Sequence, residues 1–213
     1  MTKKIKALIF DFDGTIADTL PFTFEKIVEL SKKYRIDRKK NELVEKISQL
    51  TPQQLMKEFK ISWFKVPFIF WEIKNSQKAL FQVIDKIKIF PGIKKLLKAL
   101  TKRNIKIYIY SSNLKKNIIK FLEKEKISQY FDNIYVGKNL LGKDKDLINI
   151  LKKEGLKAEE VYYVADEVRD VLACKKAKIK MIGAAWGLAG ERGLKKANVD
   201  FFVKNPEEIL KLI

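Results

Sequence analysis

Ile5-Lys6-Ala7-Leu8-Ile9-Phe10-Asp11-Phe12-Asp13-Gly14-Thr15 is the stretch that decides how this chain is read. Its first six residues form a short apolar run, suited to a buried strand and too short for an ordinary helix. The run ends on two aspartates separated by one residue. Residues two apart at a strand end face the same way, so Asp11 and Asp13 can point together while Phe12 turns into packing. Gly14 permits the sharp turn off the strand, and Thr15 can cap a following helix or donate to an anion. Two carboxylates this close raise each other's pKa unless a cation lies between them. Mg²⁺ would resolve that repulsion and would also neutralise a phosphate. A turn without chemistry has no need of two acids placed directly after a buried strand.

Further apolar runs lie downstream. Residues 105–110 end at Ser111-Ser112-Asn113, residues 133–136 follow, and residues 161–165 end at Asp166-Glu167. Residues 179–185 and 201–203 complete the set. Helical periodicity separates them. Ile93, Leu96, Leu97 and Leu100 fall at i, i+3, i+4 and i+7 after Pro91-Gly92. Leu114, Ile118, Phe121 and Leu122 repeat the pattern, as do Leu147, Ile148 and Leu151. Val168, Val171 and Leu172 begin another helix, and Pro206 opens a last one carrying Ile209, Leu210 and Ile213. Apolar strands alternating with amphipathic helices predict an α/β fold, a parallel sheet covered on both faces. Ligands in such sheets bind beyond the C-terminal strand ends. Asp11 and Asp13, Ser111, and Asp166 with Glu167 all sit there, so the three clusters are expected to converge.

Residues 16–88 break the alternation. Phe24, Ile27, Val28 and Leu30 form one helical stretch, Leu43, Ile47 and Leu50 another, and Thr51-Pro52 is a helix start. An all-helical insertion is expected here, dividing the chain into a core of residues 1–15 and 89–213 and an insert of residues 16–88. The insert holds Phe59, Trp63, Phe64, Phe68, Phe70 and Trp71. Packing within a small domain is the expected use of these aromatics, ahead of a substrate-facing wall.

Composition excludes whole classes of chemistry. The 213 residues contain no histidine and one cysteine, Cys174. Ser-His-Asp and Cys-His hydrolysis, His-ligated metals, intramolecular disulfides and multi-cysteine metal sites are therefore absent. Carboxylates, hydroxyls, lysines and backbone amides remain, with a hard, oxygen-liganded metal. Cys174, beside Ala173, is read as a small packing residue. The formal charge of +19 raises nucleic acid as a partner. Against it, the excess is nearly all lysine, spread along the chain, with five arginines at 35, 38, 103, 169 and 192. Arg169 is expected in a surface or interdomain ion pair. No apolar run is long enough to span a bilayer, and Lys3, Lys4 and Lys6 precede too short an apolar stretch for a signal peptide. A cytoplasmic protein is expected, and no feature assigns an oligomeric state.

Asp11-Phe12-Asp13-Gly14-Thr15-Ile16-Ala17-Asp18 resembles the first motif of the haloacid dehalogenase superfamily. The resemblance covers essentially the whole chain, because the other motifs follow in order. Ile107-Tyr108-Ile109-Tyr110-Ser111 is similar to the second motif. Lys143, in Leu141-Gly142-Lys143-Asp144-Lys145, stands where the third-motif lysine is expected, with Lys138 and Lys145 as competitors. Val164-Ala165-Asp166-Glu167-Val168-Arg169-Asp170 is similar to the fourth, although Ala165 stands where the family usually has Gly.

The resemblance implies a Rossmann-like doubly wound core with a helical cap, and a role for each residue. Asp11 would be the nucleophile that forms an aspartyl-phosphate, and Asp13 the acid and base. The Asp13 backbone carbonyl, Asp11 and Asp166 would hold Mg²⁺, with Asp170, or Glu167, ligating it or ordering its waters. Ser111 and the amides of Ser112 and Asn113 would hold the phosphoryl oxygens. Lys143 would offset the negative charge. Asp13 points to phosphoryl transfer, since dehalogenases and transport ATPases lack Asp there. The insert after the first motif, and Ala184-Ala185-Trp186-Gly187, resemble the phosphoglycolate-phosphatase-like branch. A small phosphorylated metabolite is the implied partner: phosphoglycolate, a sugar phosphate or a nucleotide. A sugar phosphomutase, and a non-catalytic nucleic-acid-binding protein of the same fold, are the alternatives.

Overall fold

The computed structural model describes residues 4–36, 38–137 and 142–213. Strand β1 (Ala7–Phe10) is followed by a two-residue strand, β2 (Ala17–Asp18). Helices α1 (Leu20–Lys33), α2 (Lys40–Gln49), α3 (Pro52–Glu58) and α4 (Val66–Val83) come next, and β3 (Lys88–Ile89) closes that stretch. Then α5 (Ile93–Lys102), β4 (Lys106–Ser111), α6 (Lys115–Glu125), β5 (Asn133–Val136) and α7 (Lys143–Glu154) alternate. The chain ends with β6 (Val161–Ala165), α8 (Val168–Ala177), β7 (Lys180–Ala184), α9 (Gly190–Lys196), β8 (Phe201–Val203) and a 3₁₀ turn, Pro206–Lys211.

Six strands form one parallel sheet in the order β5-β4-β1-β6-β7-β8. The order reverses about β1, so the crevice beyond its C-terminal end is the switch point where such sheets bind ligands. In register, Phe10 pairs with Ile109 on one side and Val164 on the other. That pairing brings Asp11, Ser111 and Asp166 to neighbouring strand ends. Side chains alternate between two cores: Leu8 and Phe10 pack with Ile107, Ile109 and Val164, whereas Ala7 and Ile9 pack with Tyr108, Tyr110 and Tyr163 on the opposite face. Helix α5 buries the four residues that its period selects: Ile93, Leu96, Leu97 and Leu100. Cys174 lies in the second core. Among the described residues no helix is long and apolar enough to cross a membrane.

The stretch after β1 differs from an all-helical insert in one respect. It is entered and left through the antiparallel pair β2 and β3, Ala17 against Ile89 and Asp18 against Lys88. A two-residue strand carries no periodicity to read. Thr51 caps α3 through a reciprocal box with Gln54, as its position predicts. The aromatics correct the packing expectation. Trp63, Phe64, Phe68 and Trp71 are all more than 60% exposed, while Val66, Ile69 and Ile73 of the same segment turn inward. Helix α4 is apolar on two sides, and periodicity alone does not say which side is covered. Phe59 points inward with Ile69 and Ile73.

Candidate active site

The loop after β1 is folded tightly on itself. The amides of Ile16 and Ala17 donate to the Phe12 carbonyl, and the Gly14 amide donates to the Ala17 carbonyl. Gly14 takes φ +71°, a left-handed conformation that glycine adopts without cost. A Cβ there would lie 2.1 Å from Asp166 Oδ2, and one on Gly187 would lie 2.2 Å from Asp166 Cβ. Two glycines thus let the first-motif loop and the loop after β7 close on Asp166 from both sides. Gly14→Ala is expected to cost at least about 1–2 kcal/mol from backbone strain alone, and to displace Asp166. Urea unfolding with and without Mg²⁺ checks this. A variant matching the parent in stability and in Mg²⁺ response would show that the close approach is dispensable.

Asp11 is buried and held at both oxygens. Oδ1 accepts from the Phe12 amide at 2.6 Å and Oδ2 from Lys143 Nζ at 2.7 Å. Lys143, in the first turn of α7, also donates to Asp170 Oδ1 at 2.6 Å. Burial works against the ammonium, but Asp11 and Asp170 outweigh it and hold its pKa above the usual lysine range. Lys145 is exposed on the same helix, and Lys138 and Leu141 lie outside the described residues. Among the described lysines of that segment, Lys143 reaches Asp11.

Asp13 accepts from Asn113 Nδ2 at 3.0 Å on both oxygens. Burial and the neighbouring Asp11 push its carboxyl up to about 7, with Asn113 and Thr19 acting the other way. Asn113 Oδ1 accepts from the Leu114 amide and from Asn117 Nδ2, which fixes the side chain that holds Asp13. The Asn113 amide donates to Ser111 Oγ at 3.0 Å. Ser111, Ser112 and Asn113 therefore form a turn ahead of α6, whose N-cap is Leu114. The Ser112 carbonyl accepts from Gln77 of α4 at 3.1 Å.

Asp166 accepts from Thr15 Oγ1 at 3.0 Å and from the Leu188 amide at 2.7 Å. Of the two roles read from its position, Thr15 does not cap the helix that follows, whose N-cap is Thr19; its hydroxyl donates instead to a carboxylate, orienting Asp166. Trp186 Nε1 donates to the Thr15 carbonyl at 3.0 Å, tying the same loop to β7. Burial first, then Glu167, raises the Asp166 pKa well above the carboxylate range. Asp170 is pushed up to about 7, again chiefly by burial, with Lys143 opposing. Its Oδ2 is buried and has no hydrogen-bond partner. Glu167 pairs with Arg169 through Nη2 and Nε at 2.7 and 2.6 Å, so Arg169 makes its ion pair beside the site.

The donor set fits a hard cation. Three buried or half-buried carboxylates have raised pKa values, and Asp170 offers an orphaned oxygen. Among the described residues no three acids close into a metal cage. Mg²⁺ does not require one, because it takes one or two carboxylates and keeps several waters.

A doubly wound sheet with a carboxylate cluster and a buried lysine at its switch point defines an α/β protein with a candidate active site there. The chain belongs to the haloacid dehalogenase-like hydrolase family, whose model matches residues 8–184. It is 27% identical over 214 residues to a phosphoglycolate phosphatase of Synechococcus elongatus, covering 98% of this chain and 97% of that protein. It is 24% identical over 241 residues to pyrophosphatase PpaX of Listeria monocytogenes, covering 100% and 98%. A haloacid dehalogenase-like hydrolase of Streptococcus pneumoniae shares the fold with a TM-score of 0.78 at 20% identity, covering 98% of each chain.

Proposed function

We propose that this protein is a Mg²⁺-dependent phosphatase that hydrolyses small phosphate monoesters through an aspartyl-phosphate at Asp11. The observation that carries this is the Lys143 ammonium bridging Asp11 and Asp170, with Asp13 beside them and held by Asn113. The naming of relatives as phosphatases supports it. Asp11 would attack phosphorus in line, breaking the bond to the ester oxygen. Its two hydrogen bonds keep the carboxylate from rotating away. Asp13, with a pKa near 7, would give its proton to the departing alkoxide. It would then take a proton from the water that attacks phosphorus, releasing inorganic phosphate and free Asp11. Lys143 would offset the charge shared by carboxylate and phosphoryl group. Ser111, with Ser112 and Asn113, would bind the phosphoryl oxygens once the Asn113 amide exchanges its present acceptor.

Asp11, the Asp13 backbone carbonyl and Asp166 would hold Mg²⁺, with Asp170 fixing Lys143 and ordering water. Bound there, the ion would neutralise phosphate charge. Helices α1 to α4 would act as a cap over the rest of the chain and exclude bulk water. Release of free phosphate from p-nitrophenyl phosphate tests the proposal. Turnover should require Mg²⁺, stop with EDTA, and fall about 10²–10⁴-fold in Asp13→Asn, the range of general acid–base catalysis. Metal-independent turnover, or an unimpaired Asp13→Asn, would count against it.

A further inference from the structure

A cavity of about 410 Å³ runs from Asp11 and Asp13 into the space among α1, α2, α3 and α4. That is within the ~300–1,000 Å³ of small-molecule sites. Its walls are apolar: Ile27 and Leu30 from α1, Ile47 from α2, Leu55 from α3 and Ile73 from α4. All five are half-buried. In a helical bundle with a filled centre such residues would interdigitate at crystal-like density. Here, among the described apolar residues between β2 and β3, full burial is confined to Leu43, Leu80, Ile84 and Ile87. The helices turn their apolar faces toward a space, and that space ends at the two aspartates.

The described cations of the wall, and three of its serines, are already engaged. The described lining cations are Lys26 and Arg169, paired with Glu29 and Glu167. Ser31, Ser48 and Ser76 donate to the carbonyls of Val28, Glu45 and Ile73 in their own helices. No unpaired cation among the described lining residues awaits a carboxylate or a second phosphate. A leaving group as small and charged as glycolate would leave the space unfilled and its carboxylate against hydrocarbon.

We infer that the substrate is a phosphate monoester of a large apolar alcohol, whose hydrocarbon part occupies this cavity. The inference rests on the phosphatase proposal and goes beyond it by assigning the leaving group. The probes are ethyl, butyl, hexyl and octyl phosphate below their micelle concentrations, with 2-phosphoglycolate for comparison. Leaving-group basicity scarcely changes along the alkyl series, so chemistry is held constant while buried area grows. kcat/KM is expected to rise about fourfold per methylene, the equivalent of ~0.8 kcal/mol for each CH₂ buried, with octyl phosphate well above 2-phosphoglycolate. A flat or falling series, or preference for 2-phosphoglycolate, overturns the inference. Ile73→Glu places a charge in the wall and should lower the octyl-to-ethyl ratio at least about tenfold; the ratio is independent of how much variant folds, and an unchanged ratio overturns the inference. Calorimetric titration with ethyl- and octylphosphonate separates the two proposals. Tighter octylphosphonate binding without turnover of any ester sinks the phosphatase alone, whereas equal affinities sink the apolar site whatever the turnover.

Discussion

Asp11→Asn is expected to lower kcat for p-nitrophenyl phosphate by on the order of 10⁴-fold or more, the scale seen when a nucleophile is removed. The substitution preserves shape and removes one negative charge. The amide oxygen can still accept from Lys143, at the loss of the acceptor for the Phe12 amide, and Lys143 keeps its second partner, Asp170, at 2.6 Å. The fold should therefore persist, and a thermal melt near that of the parent separates lost chemistry from lost structure. The chain has no histidine to activate another nucleophile. Ser111 Oγ already accepts from the Asn113 amide, and Cys174 is buried in the core on one face of the sheet. Turnover within tenfold of the parent would remove Asp11 as nucleophile.

Lys143→Met is the second large effect, and it acts on stability as well as rate. The side chain of similar length takes away a buried cation and leaves Asp11 and Asp170 facing each other. Removing one partner of a buried ion pair costs about 3–5 kcal/mol, which at roughly 2–4 °C per kcal/mol lowers Tm by about 6–20 °C. The sign of its pH dependence follows from Asp170. Burial already raises that carboxyl to about 7 in the folded state, above its value in the unfolded chain, so folding loses stability as pH rises from about 4 toward 7. Without the ammonium the folded pKa rises further. The parent's loss levels off near 7 and the variant's continues, so the deficit widens above neutrality. Melts at pH 5 and pH 8 should show the larger Tm difference at pH 8. Equal differences at both would mean that Lys143 is not the counter-charge of this cluster.

The parallel sheet was legible because its strands are largely apolar runs of three to six residues, as in Val161–Ala165 before Asp166. The switch point of such a sheet implies that Asp11, Ser111 and Asp166 converge, and the strand register puts them at neighbouring strand ends. Other features had no local signal. β2 and β3 are two residues each and pair because the segments entering and leaving the helices run antiparallel side by side. Helix α9, with Gly190 and Gly193 in seven residues, has no apolar period; a Cβ on Gly193 would lie 3.1 Å from both Ala189 Cβ and the Ser48 carbonyl of α2. The long-range bonds from Asn113 to Asp13 and from Thr15 to Asp166 depend on loop geometry that residue spacing does not encode. The stretch between β2 and β3 was hardest to read: its helices were evident, but whether their apolar faces meet each other, a cavity or solvent depends on tertiary packing.

The most direct measurement is the mass of the Asp11 peptide after rapid acid quench of the protein reacting with p-nitrophenyl phosphate and Mg²⁺. A gain of one phosphoryl group, localised to Asp11 and absent in Asp11→Asn, is the predicted result. Turnover with no phosphoryl group trapped, or one carried by another residue, would contradict the aspartyl-phosphate route.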